Sequence, residues 1–156
     1  MTPSKTATAT PVPLAIQNGT FLQGVTGWTA LSARGISLYD SINKCAILGG
    51  VNDEIVTLSQ TFIVPSTATI LKYKTRITSE EADASLSGDV FQVIFSTSTD
   101  TILSTVTLDT TLQTSTFVAK DHDISSFRGQ TVTLTFYLET DSTLLSTVRI
   151  DDVAIV

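Results

Sequence analysis

From residue 54 onward the chain alternates apolar and polar positions with a period of two, the signature of half-buried β-strands. In "IVTLSQTFIV" (55–64) Val56, Leu58, Gln60, Phe62 and Val64 share one face, and Pro65 ends the run. "TILKYKTRIT" (69–78) puts Leu71, Tyr73, Thr75 and Ile77 on one side, with Lys72, Lys74 and Arg76 on the other. "DVFQVIFS" (89–96) alternates Phe91, Val93 and Phe95 against Gln92. "QTVTLTFYLET" (130–140) alternates Val132, Leu134, Phe136 and Leu138 against Thr133, Thr135 and Tyr137. Shorter runs at 14–21, 28–33, 36–48 (two strands), 101–108, 115–124 and 146–156 bring the expectation to nine or ten strands. No stretch of about 12 residues keeps apolar positions at helical spacing. Strands with one apolar and one polar face close naturally as an all-β, two-sheet antiparallel β-sandwich or jelly roll.

Before the first strand, "MTPSKTATATPVP" (1–13) is a Thr/Ala/Pro-rich stretch that reads as an extended linker or tail. It lacks the apolar central run of a signal peptide. Residues 14–156 then form a single module. Only 15% of residues are charged and 42% are hydrophobic, the remainder being rich in Thr and Ser, as a pleated sheet favours. A net charge of −6 argues against nucleic acid as a partner, and no apolar run is long enough for membrane insertion. Cys45, the one cysteine, lies in the apolar run "CAIL" and reads as a small buried hydrophobe. His122, the one histidine, sits in the charged "KDHDIS", which reads as loop-like, and no serine occupies a nucleophile-elbow pattern. The acidic "SEEADAS" (79–85) reads as a solvated loop. Catalysis is not expected.

Three fragments in order, "NGTF" (18–21), a Gly-rich turn ending in "GW" (27–28) and a terminal "IDDV" (150–153), resemble the galactose-binding-like β-jelly rolls. That superfamily includes carbohydrate-binding modules of the xylanase-associated type and C-terminal modules of secreted bacterial proteins. "GGVNDEIVTLSQTFIVP" and "DISSFRGQTVTLTFYLETD" (123–141) resemble its strand-and-turn segments, so the likeness spans most of residues 16–156. The resemblance implies a non-catalytic, extracellular accessory module, secreted and of bacterial type, attached to other domains of a parent protein. Its implied partner is a polysaccharide or glycan. The alternative is a structural or adhesive module that contacts protein and binds no sugar.

The resemblance also implies a structural Ca²⁺ site where the first and last strands meet, with Asn18, Asp40, Asp151 and Asp152 as ligand candidates. Leu22 stands where the family often has an acidic residue after the motif's Phe. The other reading of the Asp pair is a β-bulge that leaves one carboxylate solvated and one bonded to backbone N–H. For a sugar, the outward candidates are Tyr137, Gln92, Lys72, Lys74 and Arg76, one polar face if their strands are neighbours. Trp28 is a further candidate, with the family's core Trp as the competing role. For Lys72, Lys74 and Arg76 the favoured reading is a solvated row that blunts an edge strand.

Overall fold

The structure, a computed structural model, describes residues 11–156. Ten strands form: β1 (Thr29–Ser32), β2 (Tyr39–Asp40), β3 (Cys45–Gly49), β4 (Glu54–Ile63), β5 (Ile70–Ser79), β6 (Val90–Ser96), β7 (Asp100–Thr107), β8 (Val118–Asp123), β9 (Thr131–Thr140) and β10 (Ser146–Ile155). Two single 3₁₀ turns, Thr110–Leu112 and Ser125–Phe127, interrupt the connections. The strands pair antiparallel in two five-stranded sheets, ordered β1-β4-β9-β6-β7 and β2-β3-β10-β5-β8. The all-β sandwich expected from the alternation is therefore the observed architecture.

The core lies between the sheets and is built from the inward residues the pattern marks: Val56, Leu58, Phe62, Leu71, Tyr73, Phe91, Val93, Phe95, Val132, Leu134, Phe136 and Leu138 are all buried. Phe136 sits at the middle, with ring centroids 5.3 Å from Tyr73, 6.1 Å from Trp28 and 6.3 Å from Phe91. Gln60 and Glu54, polar residues on the inward face of β4, are both hydrogen-bonded, as burial requires. Gln60 accepts from the Gln17 backbone N–H at 2.6 Å and donates to the carbonyls of Gln17 and Gly27 at 2.9 Å. Glu54 accepts from the Ser32 hydroxyl at 2.8 Å and the Ala33 backbone N–H at 2.8 Å.

The opening segment departs from expectation. Residues 14–21 turn rather than extend, because Asn18 and Phe21 both adopt positive φ, at 49° and 50°. The Asn18 amide holds this turn by donating to the carbonyls of Gly24 (2.8 Å) and Thr26 (2.9 Å). The turn nevertheless drives Phe21 fully into the core, against Trp28 at 5.4 Å. The start and end of the module meet here, where the Val153 N–H donates to the Gly19 carbonyl at 2.9 Å. A Cβ on residue 19 would overlap the Val153 carbonyl, so the approach requires glycine. Of the linker expected over 1–13, all but the last residues lie outside the described part. Pro13 already runs beside β4, its carbonyl accepting from Ile63 at 2.8 Å.

"IDDV" is a bulge. Asp151 pairs with Lys74 and Ala154 with Lys72, so β10 spends one residue more than β5 over this interval. Asp152 is the extra residue, at φ 50°. Ile150 and Val153 both remain in the core, and neither carboxylate enters it.

Candidate functional site

At the edge where β7 and β8 face each other, the two sheets do not close. A cleft of about 290 Å³ opens there, at the lower limit of ordinary ligand pockets. Its floor is aromatic and aliphatic: Tyr73 and Ile77 from β5, Phe91 from β6 and Val106 from β7. The rim is polar, carrying Ser104 of β7, Thr111 and Thr114 around the first 3₁₀ turn, and Lys120 and His122 of β8. The cleft exists because β8 alternates Val118, Lys120 and His122 toward the interior side, where a closed sandwich would need large apolar residues. An inward-pointing charge is also a known device for protecting a sheet edge from pairing with another chain.

His122 bonds through Nε2 to the Tyr73 hydroxyl at 2.8 Å, and the two rings stack at 5.6 Å. Burial lowers the imidazole pKa and raises that of the Tyr73 phenol, so both groups are neutral at neutral pH. The pair presents hydrogen-bonding atoms beside an apolar surface, which suits a polyhydroxylated ring with one apolar face. The loop-like setting expected for His122 is corrected: it belongs to β8 and half-covers Tyr73. The period-two spacing of Val118, Lys120 and His122 was the available signal, masked by the charge of Lys120 itself and of Asp121 beside it.

The outward candidates fall on two opposite faces. Gln92 and Tyr137 are cross-strand partners on the outer side of the first sheet, where the Tyr137 hydroxyl donates to Glu139 at 2.6 Å. Lys72, Lys74 and Arg76 lie on the outer side of the second sheet, so the single polar face expected from all five does not form. Each cation there already has a partner: Lys72 with Asp121 at 3.7 Å, Lys74 with Asp152 at 2.7 Å, and Arg76 over the Phe117 ring at 5.3 Å. Nor do they blunt an edge, since β5 lies between β10 and β8. Trp28 is only 8% exposed and donates its indole N–H to the Asn18 carbonyl at 3.2 Å, which places it in the core.

The four calcium candidates at the chain ends do not form a common oxygen cage. Asp40 accepts from Arg149 at 2.9 Å, Asp152 is held by Lys74, and Asp151 accepts from the Asp152 N–H at 2.8 Å. Asn18 turns its amide nitrogen into its own loop. In this arrangement Arg149, Lys74 and a backbone N–H each engage one of these carboxylates, and the four side chains do not converge on one point. The bulge places the Asp pair so that Asp151 accepts from a backbone N–H and Asp152 points to solvent. Among the described residues, one set of three carboxylates does converge: Glu81, Asp89 and Asp141. Glu81 belongs to the segment expected to be a solvated loop and is only 4% exposed, which corrects that expectation.

No known family profile and no curated protein sequence matches the chain. Solved structures match it in fold. A family 61 carbohydrate-binding module in complex with β-1,4-galactotriose superposes with a TM-score of 0.63 at 12% identity, covering 90% of this chain and 96% of that one. The K3 cleaved adhesin domain of Lys-gingipain from Porphyromonas gingivalis gives 0.60 at 14% identity, covering 91% and 98%. A variant of a family 29 carbohydrate-binding module gives 0.51 at 10% identity, covering 84% and 82%. The shared feature is the β-sandwich jelly roll, which different modules use for different ligands.

Proposed function

We propose that this chain is a non-catalytic binding module that holds a short carbohydrate in the cleft between β7 and β8. The cleft carries the proposal: Phe91 and Tyr73 offer an apolar floor for a sugar ring, and Ser104, Thr111, Thr114, Lys120 and His122 offer hydroxyl, ammonium and imidazole groups for its rim. The outer sheet faces are poorer platforms, because the first has Tyr137 as its one aromatic and the second is occupied by ion pairs. Fold likeness to carbohydrate-binding modules supports the same ligand class. As an extracellular module the chain would hold an attached protein close to a glycan by raising effective concentration.

The test is titration calorimetry of the full chain with galacto-, xylo- and cello-oligosaccharides, repeated on Ser104→Trp, which fills the cleft from an edge strand. Binding by the native chain, weakened at least tenfold in Ser104→Trp with an unchanged melting temperature, is the expected result. Equal binding by both proteins would place the sugar elsewhere. A second reading, a protein-contacting module, rests on the apolar side chains Leu31 and Ile55, 62% and 49% exposed near the β1 edge. Absence of binding to any of the three oligosaccharide classes would favour it.

A further inference from the structure

The carboxylates of Glu81, Asp89 and Asp141 come from three segments: the turn after β5, the residue before β6, and the turn after β9. One oxygen of each lies within 4.8 Å of the other two. Two oxygens sharing a Ca²⁺ at about 2.3–2.6 Å stand at most about 5 Å apart, so the spacing is that of a common ligand sphere. Glu81 is 4% exposed and Asp89 fully buried. Three like charges brought together out of water repel one another, and no lysine or arginine pairs with them among the described residues.

The independent observation is that Glu81 Oε1 and Asp89 Oδ2 are buried without any hydrogen-bond partner. Buried carboxylate oxygens are rarely left so. Their neighbours are otherwise well provided for. Asp89 Oδ1 accepts from the Asp141 N–H at 2.8 Å, Asp141 Oδ2 from the Gly88 N–H at 3.0 Å, and Asp141 Oδ1 from the N–H and hydroxyl of Thr143 at 2.8 and 2.9 Å. The backbone thus aims the acids at one another while leaving one oxygen on each of Glu81 and Asp89 free. Burial first, then the charges of Asp141 and Asp89, raise the pKa of Glu81.

We propose that Glu81, Asp89 and Asp141 bind one divalent cation, Ca²⁺ by preference, cross-linking the β5–β6 and β9–β10 connections. An all-oxygen, trianionic set without His or Cys selects hard cations, and ligands drawn from two separate connections tolerate the larger and less regular sphere of Ca²⁺ better than the strict octahedron of Mg²⁺. The site is distinct from the chain-end residues Asn18, Asp40, Asp151 and Asp152. On β10 it adjoins Ser146, which pairs with Ser79, whereas Asp151 pairs with Lys74 five residues along. One further oxygen, Asn52 Oδ1, is buried without a partner on the neighbouring loop, where Asn52 donates to the Ser142 carbonyl at 3.3 Å and Asp53 to the Asp141 carbonyl at 2.7 Å.

The competing account is a proton: Glu81 could stay protonated and share its hydrogen with Asp89. Thermal unfolding of the full chain in millimolar CaCl₂ and in excess EDTA, on native protein, Glu81→Gln and Asp152→Asn, separates the two. The expected result is a midpoint several degrees higher in calcium for the native chain and for Asp152→Asn, and no calcium shift for Glu81→Gln. In EDTA, Glu81→Gln should melt above the native chain, because it removes a charge from the cluster without changing its size. Calorimetric titration of EDTA-stripped native protein with CaCl₂ should give one site, and it reads the proposal even if Glu81→Gln folds poorly. No calcium shift and no heat of binding in the native chain would overturn the proposal in favour of the shared proton. A shift retained in Glu81→Gln but lost in Asp152→Asn would return the ion to the chain ends.

Discussion

Asp40 shows how one side chain can satisfy the chemistry that a metal would otherwise have supplied. Its carboxylate accepts from the backbone N–H groups of Asn43 and Ile42 at 3.0 and 3.1 Å, from the Asn43 amide at 2.7 Å and from Arg149 at 2.9 Å. The Asn43 N–H and then the Arg149 guanidinium hold its pKa well below the usual carboxylate range. For a depressed carboxylate the stabilisation is complete above the unfolded value, 3.8, and drains away as pH falls toward the folded one. Asp40→Ala is therefore expected to cost about 1–3 kcal/mol at pH 7. Urea unfolding should show that deficit shrinking at pH 3, and a constant deficit would mean the residue acts by packing rather than by charge. Glu81 obeys the opposite sign. Its raised pKa means that, in EDTA, the deficit of the native chain relative to Glu81→Gln should shrink as pH falls toward the unfolded value of 4.5. At this scale the sequence was legible where a residue's environment is local, as for Cys45, buried within an apolar run, and Tyr73, buried on the apolar side of an alternating strand. Glu81 was not legible, because its burial depends on how the β5–β6 and β9–β10 connections meet, which the local sequence does not report.

At the scale of single elements, β10 carries the clearest test. Its bulge allows two adjacent aspartates to follow Ile150 without disturbing the inward phase at Val153. Deleting Asp152 removes the extra residue and leaves Ile150, Asp151 and Val153 in regular alternation. The deletion variant is expected to fold, losing only the half-exposed Lys74 ion pair, worth about 0–1 kcal/mol. Deleting Arg149 instead would turn Ile150 outward, and the chain should lose its cooperative melt. Circular dichroism melts of both deletions decide the matter. Long strands were readable from alternation because each of β4, β5, β6 and β9 has one face wholly in the core. Residues 14–21 alternate too, yet positive φ at Asn18 and Phe21 bends them into a turn, and nothing in hydrophobic spacing reports a dihedral angle. β8 was blurred by its opposite fault: its inward side is polar where a core strand would be apolar, and that polarity is what opens the cleft.

At the scale of the whole molecule, the two-layer architecture was legible and the sheet order was not, since alternation says which side of a strand is buried and never which strand lies beside it. Gln92 and Tyr137 therefore read as possible neighbours of Lys72, Lys74 and Arg76, although a sheet's thickness of core separates them. The same strand order has a consequence for how the chain is made. β9 lies between β4 and β6 at the centre of one sheet, and β10 lies between β3 and β5 at the centre of the other. These central strands are the last two of the ten to be synthesised. Until they leave the ribosome, the earlier strands can assemble only as the pairs β1–β4, β2–β3, β5–β8 and β6–β7, each with an apolar face uncovered. A chain ending at residue 130 should accordingly show no cooperative melt and should bind hydrophobic dyes, whereas the full chain should melt cooperatively and bind none. The sandwich cannot close until β10 has emerged, and a nascent chain stalled within residues 131–156 would expose paired but unroofed strands to aggregation.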